Sequence, residues 1–429
     1  WRPGADRVAG RERPGPTVTL AEARRQLLAD VVPLEPRRVS LDEAAGCVLA
    51  EEVEAAEDVP PFANSAMDGF AVRCEDARED MARLHLVGAV TAGGVAAGPL
   101  GPGEAMAIAT GAPLPKGSDA VCMVERTTLE GTEVVLEAAV VAGENVRYAG
   151  EDIPRGSSVF GPSTVLGPSH IGVLASIGVS EVVVHPRARV GVVATGDELR
   201  AGPGPLEYGQ IHDSNRHALL AAARSIGCDA IDLGVVGDDE RAIADAVEAG
   251  AGACDAMLTS GGVSVGVADH MKSILGRLSG GTVHWMEVAI KPAKPFGFAV
   301  LSPSGVPVLC MPGNPVSAMV SFELLARPAL RYMMGHRTLD RPALPATADE
   351  RLVRNRDGKV HFLRVVARLD NEGNLWVRPS GGQGSHQLRS LAGANALAVL
   401  PDGESVDAGE RVRVLLVDPD ALLGTTVPS

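Results

Sequence analysis

The chain has 429 residues, 45% hydrophobic and 22% charged, which is the composition of a soluble globular protein too long for one ordinary core and suggests roughly three folding units. A formal net charge of −15 and an aromatic content of only 3% argue against a phosphate-backbone reader and a base-stacking platform, so nucleic acid is not an expected partner. A small anionic ligand stays compatible, given a local cluster of Lys and Arg or a metal to offset the overall field.

In chain order, Trp1 to Pro16 is rich in Arg, Gly and Pro without an apolar core, which reads as a loose tail and not as a secretory signal. Thr19-Leu-Ala-Glu22 and Ser40-Leu-Asp-Glu43 are capping-box patterns that predict two helices between Thr17 and Ala50. Pro60-Pro61 halts this texture, and from Phe70 to Tyr148 short Val-rich stretches alternate with Gly and Pro turns, predicting a small all-β module. A helix at Ser169 to Ile177 and a strand at Glu181 to His185 follow. From Arg187 strands and helices alternate regularly: strands at Val190 to Ala194, Ala230 to Val235 and Ala256 to Thr259, helices at Ser214 to Ile226, Glu240 to Ala249 and Asp269 to Leu278. That spacing implies a mostly parallel sheet covered on both faces. Further strands at Thr282 to Ala289, Phe296 to Leu301 and Pro307 to Met311 lead into a helix from Pro315 to Met334. After Gly335 comes a polar, proline-bearing linker, then alternating segments such as Val360 to Val366 and Leu375 to Arg378 that predict a second β-module to about Val417, with a tail from Asp418.

The six cysteines are scattered, with no Cys-x-x-Cys pair, so neither a zinc knuckle nor a disulfide framework is indicated, and a reducing, cytoplasmic setting is expected. Apolar stretches are broken well before ~18 residues, so no membrane span is expected.

In a doubly wound sheet, ligands bind outside the carboxyl ends of the strands. Four loops there are rich in chemistry: Thr195-Gly-Asp-Glu198, the Gly/Ser run from Thr259 to Lys272, Lys291-Pro-Ala-Lys294-Pro295, and Met311-Pro-Gly-Asn-Pro315. In the Gly/Ser run, Gly261, Gly262 and Gly266 permit tight turns with bare N–H groups, and Asp269 stands where a helix begins, able to cap it or to hold a cation. A strand-to-helix turn without ligand has the same pattern. Lysines, carboxylates and backbone N–H groups on one sheet edge are the parts needed to hold a polyanion with a divalent ion, although each alone also suits a solvated surface loop. Asn64, Ser65 and Asp68 on the proline-led segment Pro60 to Phe70, and the loop Ser380-Gly-Gly-Gln-Gly-Ser-His386 with Arg364 and Arg389 near it in sequence, are the other dense signals.

The motifs Pro60-Pro-Phe-x-Asn-Ser-Ala-Met-Asp-Gly, Ala109-Thr-Gly-Ala-Pro, Gly150-Glu-Asp-Ile153, Thr195-Gly-Asp-Glu-Leu199, Ile211-x-Asp-Ser-Asn215, Ser260-Gly-Gly-Val-Ser-Val-Gly, Lys291-Pro-x-Lys-Pro295, Pro312-Gly-Asn-Pro and Gln383-Gly-Ser, in that order, resemble the MoeA family, related to the E domain of gephyrin. The resemblance implies a multidomain α/β plus β fold. Its parts are a flexible tail (1–16), an elongated mixed helical/β dimerisation domain (17–59 and 149–186), an inserted small β domain (60–148), a central three-layer, MogA-like α/β domain (187–336), a C-terminal β-barrel-like domain (337–417) and a tail (418–429). It also implies a cytoplasmic homodimeric transferase, with its site between the α/β domain of one subunit and elements of the other. Molybdate would be inserted into adenylylated molybdopterin with Mg²⁺-dependent release of AMP, other molybdenum-cofactor biosynthesis proteins being possible partners.

Carried over position by position, the resemblance assigns catalysis to Asp68, Asp152, Glu198, Asp238 and Asp269, with Glu198 and Asp269 as metal ligands. Substrate binding falls to Thr110, Ser260, Gly261, Gly262, Ser264, Lys291, Lys294, Pro312, Pro315, Arg364 and Ser385. Ala63, Val267 and Ala293 depart from the family pattern, which usually has Asp, Glu and Gly there, and the first two leave the metal-ligand set in question. Two other functions compete: a scaffold or cofactor-storage protein on the same fold, and the related adenylyltransferase.

Overall fold

The computed structural model describes residues 17–261 and 267–422, the side chains of 267–269 excepted. The chain forms two compact units, one running to Arg37 and resuming at His185, the other spanning Arg38–Val184.

In the first unit, seven strands form a mixed sheet in the order Thr17–Val18, His284–Val288, Pro295–Val300, Pro307–Met311, Ala256–Ser260, Arg189–Thr195, Asp229–Val236. The last four run parallel, while Pro295–Val300 is antiparallel to both its neighbours. Side chains alternate between the two faces, as the two-residue period of a strand requires. Ala256, Leu258, Leu309 and Met311 enter one core with Leu219 and Leu220 of helix Asn215–Ser225. Met257, Val308 and Cys310 enter the other with Ile243 and Val247 of helix Glu240–Ala253 and Ile274 and Leu275 of helix Val267–Leu278. This is the three-layer, mostly parallel architecture that the alternating pattern implied. The helix expected from Pro315 to Met334 is interrupted: Pro315–Ser321 and Arg327–Met333 flank a π-helical segment, Phe322–Ala326.

Both capping boxes form, with Thr19 and Ser40 accepting from the N–H groups of Glu22 and Glu43. The first helix, Leu20–Asp30, buries Ala23 and Leu27 in the core beneath the α/β sheet, so residues 17–37 pack with that sheet. Thr17–Val18 explains this placement, since it adds a parallel edge strand beside His284–Val288.

Five C-terminal strands, Val360–Leu369, Leu375–Pro379, Ala343–Ala348, Arg411–Leu416 and Ala396–Leu400, close into a barrel through pairing of the first with the last, around Val365, Val377, Ala398 and Val414. The expected linker is shorter than its prolines suggested, because Ala343, Leu344 and Pro345 already belong to a barrel strand. The expected C-terminal tail is partly tied down as well: the Ala421 carbonyl accepts from Asn395 Nδ2 at 2.7 Å. Outside the ring, the short strand Ile290–Lys291 adds in parallel to Val360–Leu369.

The second unit contains a six-stranded sheet ordered Thr127–Glu130, Glu133–Leu136, Ala82–Val90, Glu104–Ile108, Gly69–Val72, Ala120–Met123, with an apolar cluster on each face. A separate core gathers Leu166, Leu174 and Ile177 around helix Pro168–Ser176 against Val39, Leu49 and Val184. Among the described residues, no helix is long and apolar enough to cross a membrane.

Candidate active site

A cavity of about 680 Å³ opens at the carboxyl ends of the parallel strands, where the strand ends and the loops after them meet a loop of the C-terminal barrel. Gly196, at φ +153, turns the chain out of strand Arg189–Thr195, and its N–H donates to the Val236 carbonyl at 3.1 Å, anchoring the turn to the neighbouring strand end. Glu198 and Asp238 both line the space. Asp197 Oδ1 accepts the Asp238 N–H at 2.9 Å, which fixes the second acid's backbone, while Asp238 Oδ1 is buried with no hydrogen-bond partner. An acceptor left bare in this way is costly unless a ligand or ion completes it.

Ser260, 2% exposed, and Gly261 form the floor. Gly261 is at φ +96, and a Cβ there would lie 2.5 Å from the Thr195 carbonyl oxygen, so this crossing of two strand ends requires glycine. Gly262 and Ser264 lie outside the described residues. Asp269 falls in helix Val267–Leu278, its side chain likewise outside the described part.

The third wall is Pro312 to Pro315. Asn215 Nδ2 donates to the Gly313 carbonyl at 2.7 Å, and the Val316 N–H donates to the Ser385 carbonyl at 3.1 Å, so loops from three parts of the chain are bonded to one another. Behind Asn215, Asp213 is tied through Oδ2 to Arg216 Nε at 2.7 Å, with both side chains buried; the same guanidinium also pairs with Asp232.

Arg364 lies on the barrel strand Val360–Leu369 and is 0% exposed. One terminal nitrogen donates to the carbonyls of Gly382 at 2.8 Å and Gly384 at 3.2 Å, but Nε and Nη1 have no partner. Burial lowers its pKa, as expected for a desolvated cation. Nε and Nη1 are therefore buried donors whose hydrogen-bonding capacity is unmet within the chain, and Arg364 itself does not line the cavity.

Six of the expected residues therefore line one cavity: Glu198, Asp238, Ser260, Gly261, Pro312 and Pro315. Ser385 is joined to it through its carbonyl, and Arg364 holds the loop that carries Ser385. Lys291 and Lys294 do not line the cavity, although Pro295, next to Lys294 in the chain, does. Lys294 Nζ pairs with Glu287 at 2.7 Å, and Ala293 between the lysines takes φ +78 with its methyl in the core.

Asp68, Thr110 and Asp152 belong to the other unit. There Asp68 Oδ1 accepts from the Thr110 N–H at 2.7 Å and hydroxyl at 2.9 Å, which lowers its pKa, the backbone bond contributing most. Asp152 is exposed. Ala63, one of the departures, packs its methyl on an apolar cluster of the small β module. Sequence reasoning left out Ser317, His212 and Leu388, which also line the cavity, while His386 lines it as the end of the Ser380–His386 loop already singled out. Ser317 follows a helical turn that sequence spacing alone cannot aim. Among the described residues, no group of three His, Cys, Asp or Glu is arranged to hold a metal.

Three family descriptions match in succession: the MoeA N-terminal region (domain I and II) over residues 18–178, a probable molybdopterin binding domain over 191–332, and the MoeA C-terminal region (domain IV) over 348–417. The chain is 35% identical over 401 residues to a molybdopterin molybdenumtransferase of Haemophilus influenzae, covering 92% of this chain and 98% of that one. It is 37% identical over 388 residues to molybdopterin molybdenumtransferase 2 of Mycobacterium tuberculosis, covering 88% and 94%. The crystal structure of the molybdopterin biosynthesis MoeA protein from Pyrococcus horikoshii superposes with a TM-score of 0.78 at 30% identity, covering 94% of this chain and 99% of that one.

Proposed function

The chain belongs to the MoeA family, and from that membership we propose that it is a molybdopterin molybdenumtransferase, inserting molybdate into adenylylated molybdopterin to give molybdenum cofactor and AMP. The observation that carries the reading is near end-to-end similarity to named molybdenumtransferases, joined to a cavity that supplies matching chemistry. A volume of about 680 Å³ suits a ligand of this size.

In this reading Ser260 and Gly261 on the floor receive the pyrophosphate through backbone N–H and hydroxyl donors, and Gly262 and Ser264 are assigned to the same substrate. Pro312 and Pro315 shape the opposite wall. Arg364, whose Nε and Nη1 are buried without partners, receives molybdate together with Lys291, Lys294 and Ser385.

Mg²⁺ belongs to the proposal. Glu198 and Asp269 would hold a divalent ion, which takes only one or two protein carboxylates when phosphates supply further oxygens, and Asp238, with Oδ1 buried and without a partner, lines the same cavity as Glu198. The ion would supply positive charge to neutralise the phosphates. Catalytic parts for Asp68 and Asp152, substrate contact by Thr110, a homodimer, a cytoplasmic location and exchange with other cofactor-biosynthesis proteins complete the reading.

The test is direct. Purified protein incubated with adenylylated molybdopterin, Mg²⁺ and molybdate should release AMP only when molybdate is present, and Asp269→Asn should slow that release. Ligand binding without AMP release would overturn the enzyme in favour of a storage scaffold.

A further inference from the structure

Lys294 does not present a free ammonium. Its Nζ lies 2.7 Å from Oε1 of Glu287, whose backbone is the antiparallel partner of Pro295 in the sheet. The other carboxylate oxygen of Glu287 accepts from the Thr17 hydroxyl at 3.4 Å, and Thr17 is its strand partner on the opposite side. Glu287 is thus held from two strands and its side chain is 21% exposed, against 45% for Lys294. Between the two members, the carboxylate is the fixed one and the ammonium the one able to move. The Val288 N–H donates to the Lys294 carbonyl at 2.7 Å, so any movement is confined to the lysine side chain.

We propose that Glu287 is a positioning residue that sets oxyanion affinity: a resident counter-ion that occupies the Lys294 ammonium and that an incoming oxyanion must displace. The inference rests on the reading of Lys294 as a molybdate ligand. A carboxylate is an acceptor competing with the oxyanion for the same three N–H donors, and its charge also repels the anion. Half-exposed ion pairs are weak, so exchange is permitted, yet each exchange subtracts from affinity. The consequence for turnover is useful. An oxyanion held only by unopposed cations would be bound tightly in the ground state, which does nothing for the chemical step and slows its transfer to the dithiolene. Glu287 takes Lys294 back as the metal leaves.

Isothermal titration with molybdate on the full chain tests this in wild type, Glu287→Gln, Lys294→Met and the double variant. Glutamine keeps the size and the acceptor for Thr17 while removing the charge. Glu287→Gln should bind molybdate about threefold to tenfold more tightly, the value of one nearby charge in a half-exposed setting. That gain should shrink in the Lys294→Met background, because the competition is then gone. In turnover, KM for molybdate should fall with no rise in kcat. If Glu287→Gln binds molybdate no more tightly while Lys294→Met weakens binding, the proposal fails and the lysine keeps its assigned role. If Lys294→Met binds molybdate as wild type does, the lysine reading itself fails and the proposal falls with it.

Discussion

Replacing Arg364 by Met should stabilise the ligand-free protein, or leave it unchanged, while removing its response to molybdate. The guanidinium is 0% exposed and no carboxylate faces it among the described residues; Nε and Nη1 lack partners. Each orphaned donor costs about 1–3 kcal/mol, whereas the bonds to the Gly382 and Gly384 carbonyls return roughly 1 kcal/mol each. Exchanging a poorly compensated buried charge for an apolar side chain of similar volume typically gains about 1–4 kcal/mol. At about 2–4 °C per kcal/mol for a domain of this size, the melting temperature should rise by roughly 2–16 °C, or stay level if packing around Met is imperfect. Molybdate at a hundredfold excess over its Kd should stabilise wild type by about 2.7 kcal/mol and Arg364→Met by nothing. Thermal melts of both proteins with and without molybdate provide the assay. A ligand-free variant melting several degrees below wild type would show that the guanidinium braces the barrel, and an undiminished molybdate shift would place the anion elsewhere. Either result refutes the reasoning.

Three other outcomes are expected. Asp213→Ala strips Arg216 of its buried partner, leaving only the half-exposed Asp232, and should cost about 1–3 kcal/mol in urea unfolding, more than exposed pairs such as Arg83 with Glu130 would show. His336 has its pKa lowered to about 4 by burial, with Arg331 and Arg327 adding to the effect. As pH falls through 6.5 the unfolded state takes up a proton that the folded state refuses until about 4, so stability present above 6.5 is lost across that window, by about 3 kcal/mol. The His336→Asn variant should lack this component, and the difference between its pH–stability curve and that of wild type measures it. Gly261→Ala forces a Cβ against the Thr195 carbonyl at a φ of +96 and should cost about 1–3 kcal/mol with a loss of AMP release, read by melting and by turnover.

Strand pattern made the α/β domain legible, because Ala256 to Leu258 and Pro307 to Met311 are buried on both faces and read as unbroken apolar runs. The capping boxes at Thr19 and Ser40 were legible for a local reason: donor and acceptor lie three residues apart. What escaped was long-range. Nothing in Thr17-Val18 announces pairing with Glu287 and Val288. Proline in Ala343 to Pro345 disguised a strand as linker, although the strand tolerates Pro345 where its N–H is not needed. In the cavity, Glu198 was reachable because strand ends converge by rule and Asp238 only through the family resemblance, whereas Ser317 and Leu388 depend on how a helix and a barrel loop face it.

The hairpin from His284 to Val300 is a member of two sheets at once, since Ile290–Lys291 leaves the α/β sheet to extend the barrel and the Val360 N–H donates to the Ala289 carbonyl. Barrel and α/β sheet therefore share backbone hydrogen bonds and not merely a covalent tether. Opening either one unpairs amides belonging to the other, so the two should melt as one cooperative block, and protons at 290–291 and 360–361 should exchange at a common rate. The lysine-bearing loop sits on that seam, which lets an anion captured there clamp both halves of the block together.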